Sequence, residues 1–154
     1  MSGESDDRWN IGLLLFVPYR AMETRVLDAL GATGFEDLTM AQARLAARLA
    51  PGGSRLTDLA DQARITKQTA GFLVDQLERN GYVERVRDPT DGRARLVRLA
   101  GRGLAAAEVA AATVDRVERE WAACLGTTRM TALRDALEQL RPITDTVPAG
   151  RGNG

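Results

Sequence analysis

The sequence contains no histidine, one cysteine and one lysine, and its longest run of apolar residues is five. Each shortage excludes something. Without histidine the chain lacks the commonest general base, the pH switch nearest neutrality and the commonest transition-metal ligand. One cysteine, Cys124, excludes an internal disulfide framework. It has no neighbouring thiol, and reads as a small buried hydrophobe rather than a reactive group. The run Leu13-Leu14-Leu15-Phe16-Val17 is far too short to cross a bilayer. No charged-then-apolar leader with a small-residue cleavage site opens the sequence, so a cytoplasmic protein without membrane contact is expected. Neither a glycine-rich phosphate loop nor a Gly-x-Ser-x-Gly elbow is present. The reading is of a protein that is not an enzyme and has no metal or cofactor.

What is present is patterned charge. The 154 residues carry 21 basic and 21 acidic side chains, a formal net charge of zero. Residues 54–103, however, hold 10 basic against 7 acidic groups, whereas the segments on either side are slightly acidic. The middle third is therefore the electropositive part. Its richest stretch is Arg87-Asp88-Pro89-Thr90-Asp91-Gly92-Arg93-Ala94-Arg95. Pro89 presets a turn, and Asp91-Gly92 is a strong hairpin signal. Tyr82 to Val86 before it and Arg95 to Leu99 after it carry strand formers, so an arginine-tipped hairpin is predicted.

Helical spacing accounts for the rest. Leu13, Phe16, Val17, Met22, Val26 and Leu30 predict a first helix within residues 9–30, kinked or broken by Pro18 and ended by Gly31 and Gly34. Thr39 and Gln42 form a capping box opening a helix through Leu49. Ser54-Arg55 is a short extended piece, and Thr57 is a candidate N-cap for a helix to about Ala63. After a tight connection at Ile65, Thr66 caps a helix with Ala70, Leu73, Val74 and Leu77 inward, stopped by Asn80-Gly81. Beyond the hairpin, Gly101 to Gly103 breaks the chain. A long helix follows with Leu104, Ala107, Ala111, Val114, Trp121 and Leu125 as its apolar stripe. The last helix, from about Thr128 to Ile143, carries Met130, Leu133, Leu137 and Leu140.

Two short helices followed at once by a basic hairpin spell a winged helix-turn-helix. The fold expected is mainly α with a small β-hairpin wing, in the order α-α-β-α-α-β-β-α-α. Residues 37–100 form the winged DNA-binding domain. Residues 9–36 and 101–146 form a helical dimerisation region, and residues 1–8 and 147–154 are disordered tails. An α-helix fits the major groove, and its first turn approaches base edges. Thr66, Lys67, Gln68, Thr69 and Phe72 are thus candidate DNA contacts, Gln68 suited to adenine and Phe72 to a thymine methyl. A narrow hairpin tip reaches the minor groove, where arginine is favoured, which nominates Arg93 and Arg95. Asp91 would repel phosphate and reads instead as a turn former orienting Arg93.

The sequence resembles the MarR (multiple-antibiotic-resistance regulator) family of bacterial transcription factors over about residues 10–145. The resemblance is carried by Leu59-Ala60, Thr66 to Thr69, Leu73 to Glu78, Gly81-Tyr82-Val83, and Asp88 to Arg93 with its Asp-x-Arg wing signature. It departs from the family at Gly71-Phe72, where many relatives have a polar-arginine pair, and at Gly92, which replaces a common second wing arginine. The resemblance implies a homodimer on a pseudo-palindromic double-stranded operator, and repression relieved by a small aromatic or phenolic effector. Phe16, Tyr19, Met22 and Met40, with Trp9, are candidates for the effector pocket and equally for dimer and domain core. The competing reading keeps the winged helix as a protein-interaction module without specific DNA binding.

Overall fold

The computed structural model describes residues 8–145. The expected tails at 1–7 and 147–154, and residue 146 of the helical region, lie outside the described residues. Six helices and one hairpin follow in order: α1 (Ile11–Ala32), α2 (Met40–Ala46), α3 (Leu56–Ala63), α4 (Lys67–Arg79), β1 (Val83–Asp88), β2 (Asp91–Leu99), α5 (Gly101–Leu125) and α6 (Thr127–Thr144). This is the mainly helical winged helix-turn-helix that the sequence predicts, with details that differ.

Asn10 caps α1, its side-chain oxygen accepting from the Leu13 amide at 3.0 Å. The helix runs uninterrupted through Pro18 and Gly31, so the expected break does not occur. Proline here removes one hydrogen bond near a free end, and the chain turns only at Gly34, whose φ is +97°. Both halves of the α2 capping box form. That helix ends at Ala46, three residues short of the expected Leu49.

The N-cap of α3 is Arg55, not Thr57, which sits exposed inside the first turn. Ser54 is held instead by an isolated bridge to Val97, with paired backbone bonds of 2.9 and 2.8 Å, and this fixes where α3 starts. The turn between α3 and α4 passes through Arg64, the only described non-glycine residue at positive φ (59°). Thr66 then caps α4, accepting from the Thr69 amide at 3.1 Å.

In the hairpin, Val83 pairs with Leu99, Arg85 with Val97, Arg87 with Arg95 and Asp88 with Asp91. The turn is therefore Pro89-Thr90, and Asp91-Gly92 opens the second strand instead of making the bend. The Asp88 carboxylate explains the choice. It accepts from the Thr90 amide at 2.9 Å and from its hydroxyl at 2.8 Å, and these bonds, with Arg55, hold its pKa below the usual carboxylate value.

The core sits where α2, α3, α4, the hairpin base and the start of α5 meet. Leu45, Leu59, Val74, Leu77 and Tyr82 are its largest fully buried side chains, with Leu30 of α1 packed against them. Gly101 to Gly103 does not break the chain; these residues are the first turn of α5. A β-carbon at Gly103 would lie 2.0 Å from the Tyr82 carbonyl oxygen, so only glycine lets α5 approach the sheet this closely.

The long helix α5 has two apolar faces. Gly103, Ala106, Thr113 and Val117 are buried within the chain, Ala106 in its core, whereas Leu104, Ala107, Ala111 and Leu125 of the expected stripe are exposed and Val114 and Trp121 are half-buried. Cys124 is exposed, correcting its assignment as a buried hydrophobe: it lies beyond Val117, the last buried residue of α5.

Candidate nucleic-acid interface

On α4 the buried residues Ala70, Leu73, Val74 and Leu77 fix which side faces out. Gln68, Phe72, Asp75 and Arg79 follow at spacings of four, three and four, and so form a line opposite the core. Lys67, Gln68 and Thr69 are exposed in the first turn, together with Thr66. The Thr66 hydroxyl is already engaged by the Thr69 amide and lies 2.9 Å from the Thr69 hydroxyl, so capping occupies part of its capacity. Phe72 is 61% exposed.

The hairpin is tied to α4 by Arg85. Its guanidinium donates to Asp75 at 2.7 Å and to Glu78 at 2.8 Å. Arg85 pairs across the sheet with Val97, and Arg87 with Arg95, so these residues share the hairpin face turned toward α4. Arg85, Arg87, Arg93 and Arg95 line one polar groove along that face, near the tip. Asp91 turns its carboxylate to the Arg93 backbone amide at 3.1 Å; it organises the strand start, leaving the Arg93 guanidinium free.

The arginines divide into two classes. Arg55 is bound to Asp88, Arg85 to Asp75 and Glu78, Arg98 to Glu84, and Arg102 to Asp37. Arg87, Arg93 and Arg95, with Lys67, have no acidic partner among the described residues. Arg64 and Arg79 are likewise unpaired; of these free cations, Arg87, Arg93 and Arg95 line the hairpin groove and Lys67 opens α4. Arg87 was not among the sequence candidates. Its signal was the Arg87–Arg95 cross-strand pairing, which needs the register and so the true position of the turn.

Behind this face lies an apolar cavity of about 280 Å³ lined by α1, α2, α4, β2 and α5, including Val26, Leu30, Leu38, Leu77, Tyr82 and Ala106. Its one phenol, Tyr82, donates to Asp37, and burial followed by that carboxylate raises the Tyr82 pKa. Asp37 also takes two bonds from Arg102, at 2.9 and 3.0 Å, which with Tyr82 lower its pKa. The Arg102 guanidinium lies 4.4 Å from the Tyr82 ring centroid. None of Phe16, Tyr19, Met22 and Met40 lines this cavity. Phe16 and Tyr19 are exposed on α1, Tyr19 donating to Glu23 at 2.8 Å, while Met22 and Met40 are half-buried. Trp9 is exposed ahead of α1. Among the described residues no helix is long and apolar enough to cross a membrane.

Against known proteins, the winged segment decides the comparison. Residues 36–94 match the MarR family. The MarR-like fold extends well past that segment in solved structures. The transcriptional regulator PA4135 is 25% identical with a TM-score of 0.68, covering 89% of this chain and 99% of that one. NadR, solved with 4-hydroxyphenylacetate, is 27% identical with a TM-score of 0.67, covering 91% and 97%. The Mycobacterium tuberculosis MarR family protein Rv2887, solved with salicylic acid, is 27% identical with a TM-score of 0.60, covering 87% and 98%. No curated protein matches the chain.

Proposed function

We propose that this chain is a MarR-type transcriptional repressor that binds a pseudo-palindromic operator as a homodimer and responds to a small aromatic effector. One observation carries the reading. The outward line of α4, from Gln68 to Arg79, is tied through Asp75 to Arg85, which shares its hairpin groove with three unpaired arginines. Lys67, Gln68, Thr69 and Phe72 enter a major groove, and Arg93 enters the adjoining minor groove. Arg87 and Arg95 take phosphates, and Thr66 and Asp91 hold the two reading elements in shape.

Pairing of two copies is supported by the apolar residues that the helical region leaves uncovered. Leu14, Phe16, Leu137 and Ile143 are between 40% and 72% exposed, and we assign α1 and α6 to the seam. Phe16 and Tyr19 fall on that seam. Complexes of relatives with salicylic acid and 4-hydroxyphenylacetate support an aromatic effector, and the apolar cavity behind Tyr82 is its proposed place.

The test is a gel shift with DNA upstream of the protein's own gene, repeated as salt rises. Salt-sensitive binding that Arg93→Ala and Gln68→Ala each weaken by about tenfold, with the dimer intact, supports the reading. Absence of binding to any duplex selected from a random pool overturns it. A second reading, a protein-interaction module, is favoured by the zero net charge and the exposed Phe72. It predicts that neither substitution changes function.

A further inference from the structure

Phe72 is the only large apolar side chain exposed between residues 37 and 100; the others are on α1, α5 and α6 or at Trp9. It stands one helical turn beyond Gln68 on the outward line of α4. Its neighbours along that line are polar or charged, Gln68 before it and Asp75, paired with Arg85, after it. An aromatic ring alone in such a setting gains nothing from its own chain, since no core residue covers it.

In the major groove the one apolar feature that projects from a base edge is the thymine C5-methyl. We infer that Phe72 reads a thymine methyl in each operator half-site, adjacent to the base met by Gln68. The inference rests on the DNA-binding reading above and adds a specificity determinant to it. The unpaired cations Lys67, in the first turn of the same helix, and Arg87, Arg93 and Arg95, along the hairpin groove, select a polyanion as the occupant rather than an apolar protein surface.

The experiment takes a duplex selected by the full-length protein and replaces each thymine singly by uracil, which removes the methyl and keeps the pairing. One position per half-site is expected to weaken binding about fourfold, the effect of one buried methyl group. Phe72→Ala is expected to weaken binding to the thymine duplex and then to be indifferent to uracil there, whereas Phe72→Leu keeps part of the discrimination. Being exposed, the ring can be removed without opening the core, and circular dichroism of each variant checks this. Wild-type protein that binds the duplex yet tolerates uracil everywhere overturns the inference while leaving DNA binding standing. The same holds if Phe72→Ala still discriminates at that position. Failure to select any duplex overturns both.

Discussion

The winged part buries Leu45, Leu59, Val74, Leu77 and Tyr82 to 1% exposure or less, whereas α6 buries none of its 18 residues. The two regions have comparable apolar stripes in sequence but use them differently. In the winged part the stripe of α4 meets α2, α3 and the hairpin within one chain. In the helical part, α1 from Ile11 to Tyr19 and Leu133, Leu137, Leu140 and Ile143 of α6 present apolar side chains to solvent. Burial within a chain makes a domain, while an uncovered stripe calls for a partner, which the proposed second copy supplies. The contrast locates the two proposed functions: reading in the self-sufficient part, pairing in the incomplete one.

The strongest way to break that contrast is to charge the uncovered stripe. Leu14→Glu combined with Leu137→Glu is expected to reduce the mass in sedimentation to a single chain. Operator affinity falls by about two orders of magnitude as bivalent binding is lost. Sedimentation showing an intact dimer removes α1 and α6 from the seam. Next in size is the joint between the regions. Gly103→Ala places a β-carbon 2.0 Å from the Tyr82 carbonyl, forcing α5 off the sheet. Urea denaturation is expected to show a loss of about 1–3 kcal/mol, the range for overpacking.

Arg93 and Arg98 sharpen the division within the hairpin. Arg93→Ala is expected to weaken operator binding by about tenfold and to lower the salt slope by about one. Arg98, spent on Glu84 at 2.7 Å, is expected to be replaceable by alanine without change in either. Equal losses from both would refute the distinction between paired and unpaired arginines.

A second joint is expected to weaken in acid. Glu23 of α1 accepts two bonds from Arg44 of α2, which, with Tyr19 and Arg20, lower its pKa to about 2 against opposing burial. Because the folded value lies below the unfolded one, this carboxylate contributes its stabilisation above the ordinary pKa of 4.5 and loses it as pH falls toward 2. Glu23→Gln is expected to flatten the stability profile in that window, read from denaturation midpoints at successive pH values. An unchanged slope would show that the ion pair does not persist in solution.

Much of this was legible in the sequence wherever burial is local. The α4 stripe, the Thr39 box and the arginine hairpin each follow from residues a few positions apart. The α5 stripe was misread because alanine and glycine line both of its faces, and small residues give little contrast between a core side and an outer one. Of the two turn signals in the hairpin, Pro89 makes the bend and Asp91-Gly92 does not, because Asp88, gripping Thr90 and Arg55, outweighs the intrinsic preference of Asp91-Gly92. The cavity behind Tyr82 draws on five elements far apart in the chain, so no local pattern marks it, and the aromatic and methionine candidates of α1 and α2 lie elsewhere.

The smallest predicted effect tests that same rule in the helix-turn-helix. Thr57 and Thr66 both precede an apolar helix and both have the residue type of an N-cap. Only Thr66 has the geometry, with extended backbone and its oxygen 3.1 Å from the Thr69 amide; the Ser54–Val97 bridge pulls the start of α3 back to Arg55. Thr66→Ala is therefore expected to destabilise the winged part by about 1 kcal/mol. Thr57→Ala, exposed within a helix that alanine favours, is expected to be neutral or slightly stabilising. Matched thermal melts of the two variants decide the matter: equal losses would mean that residue type alone sets the cap, and that the sheet bridge has no part in placing α3.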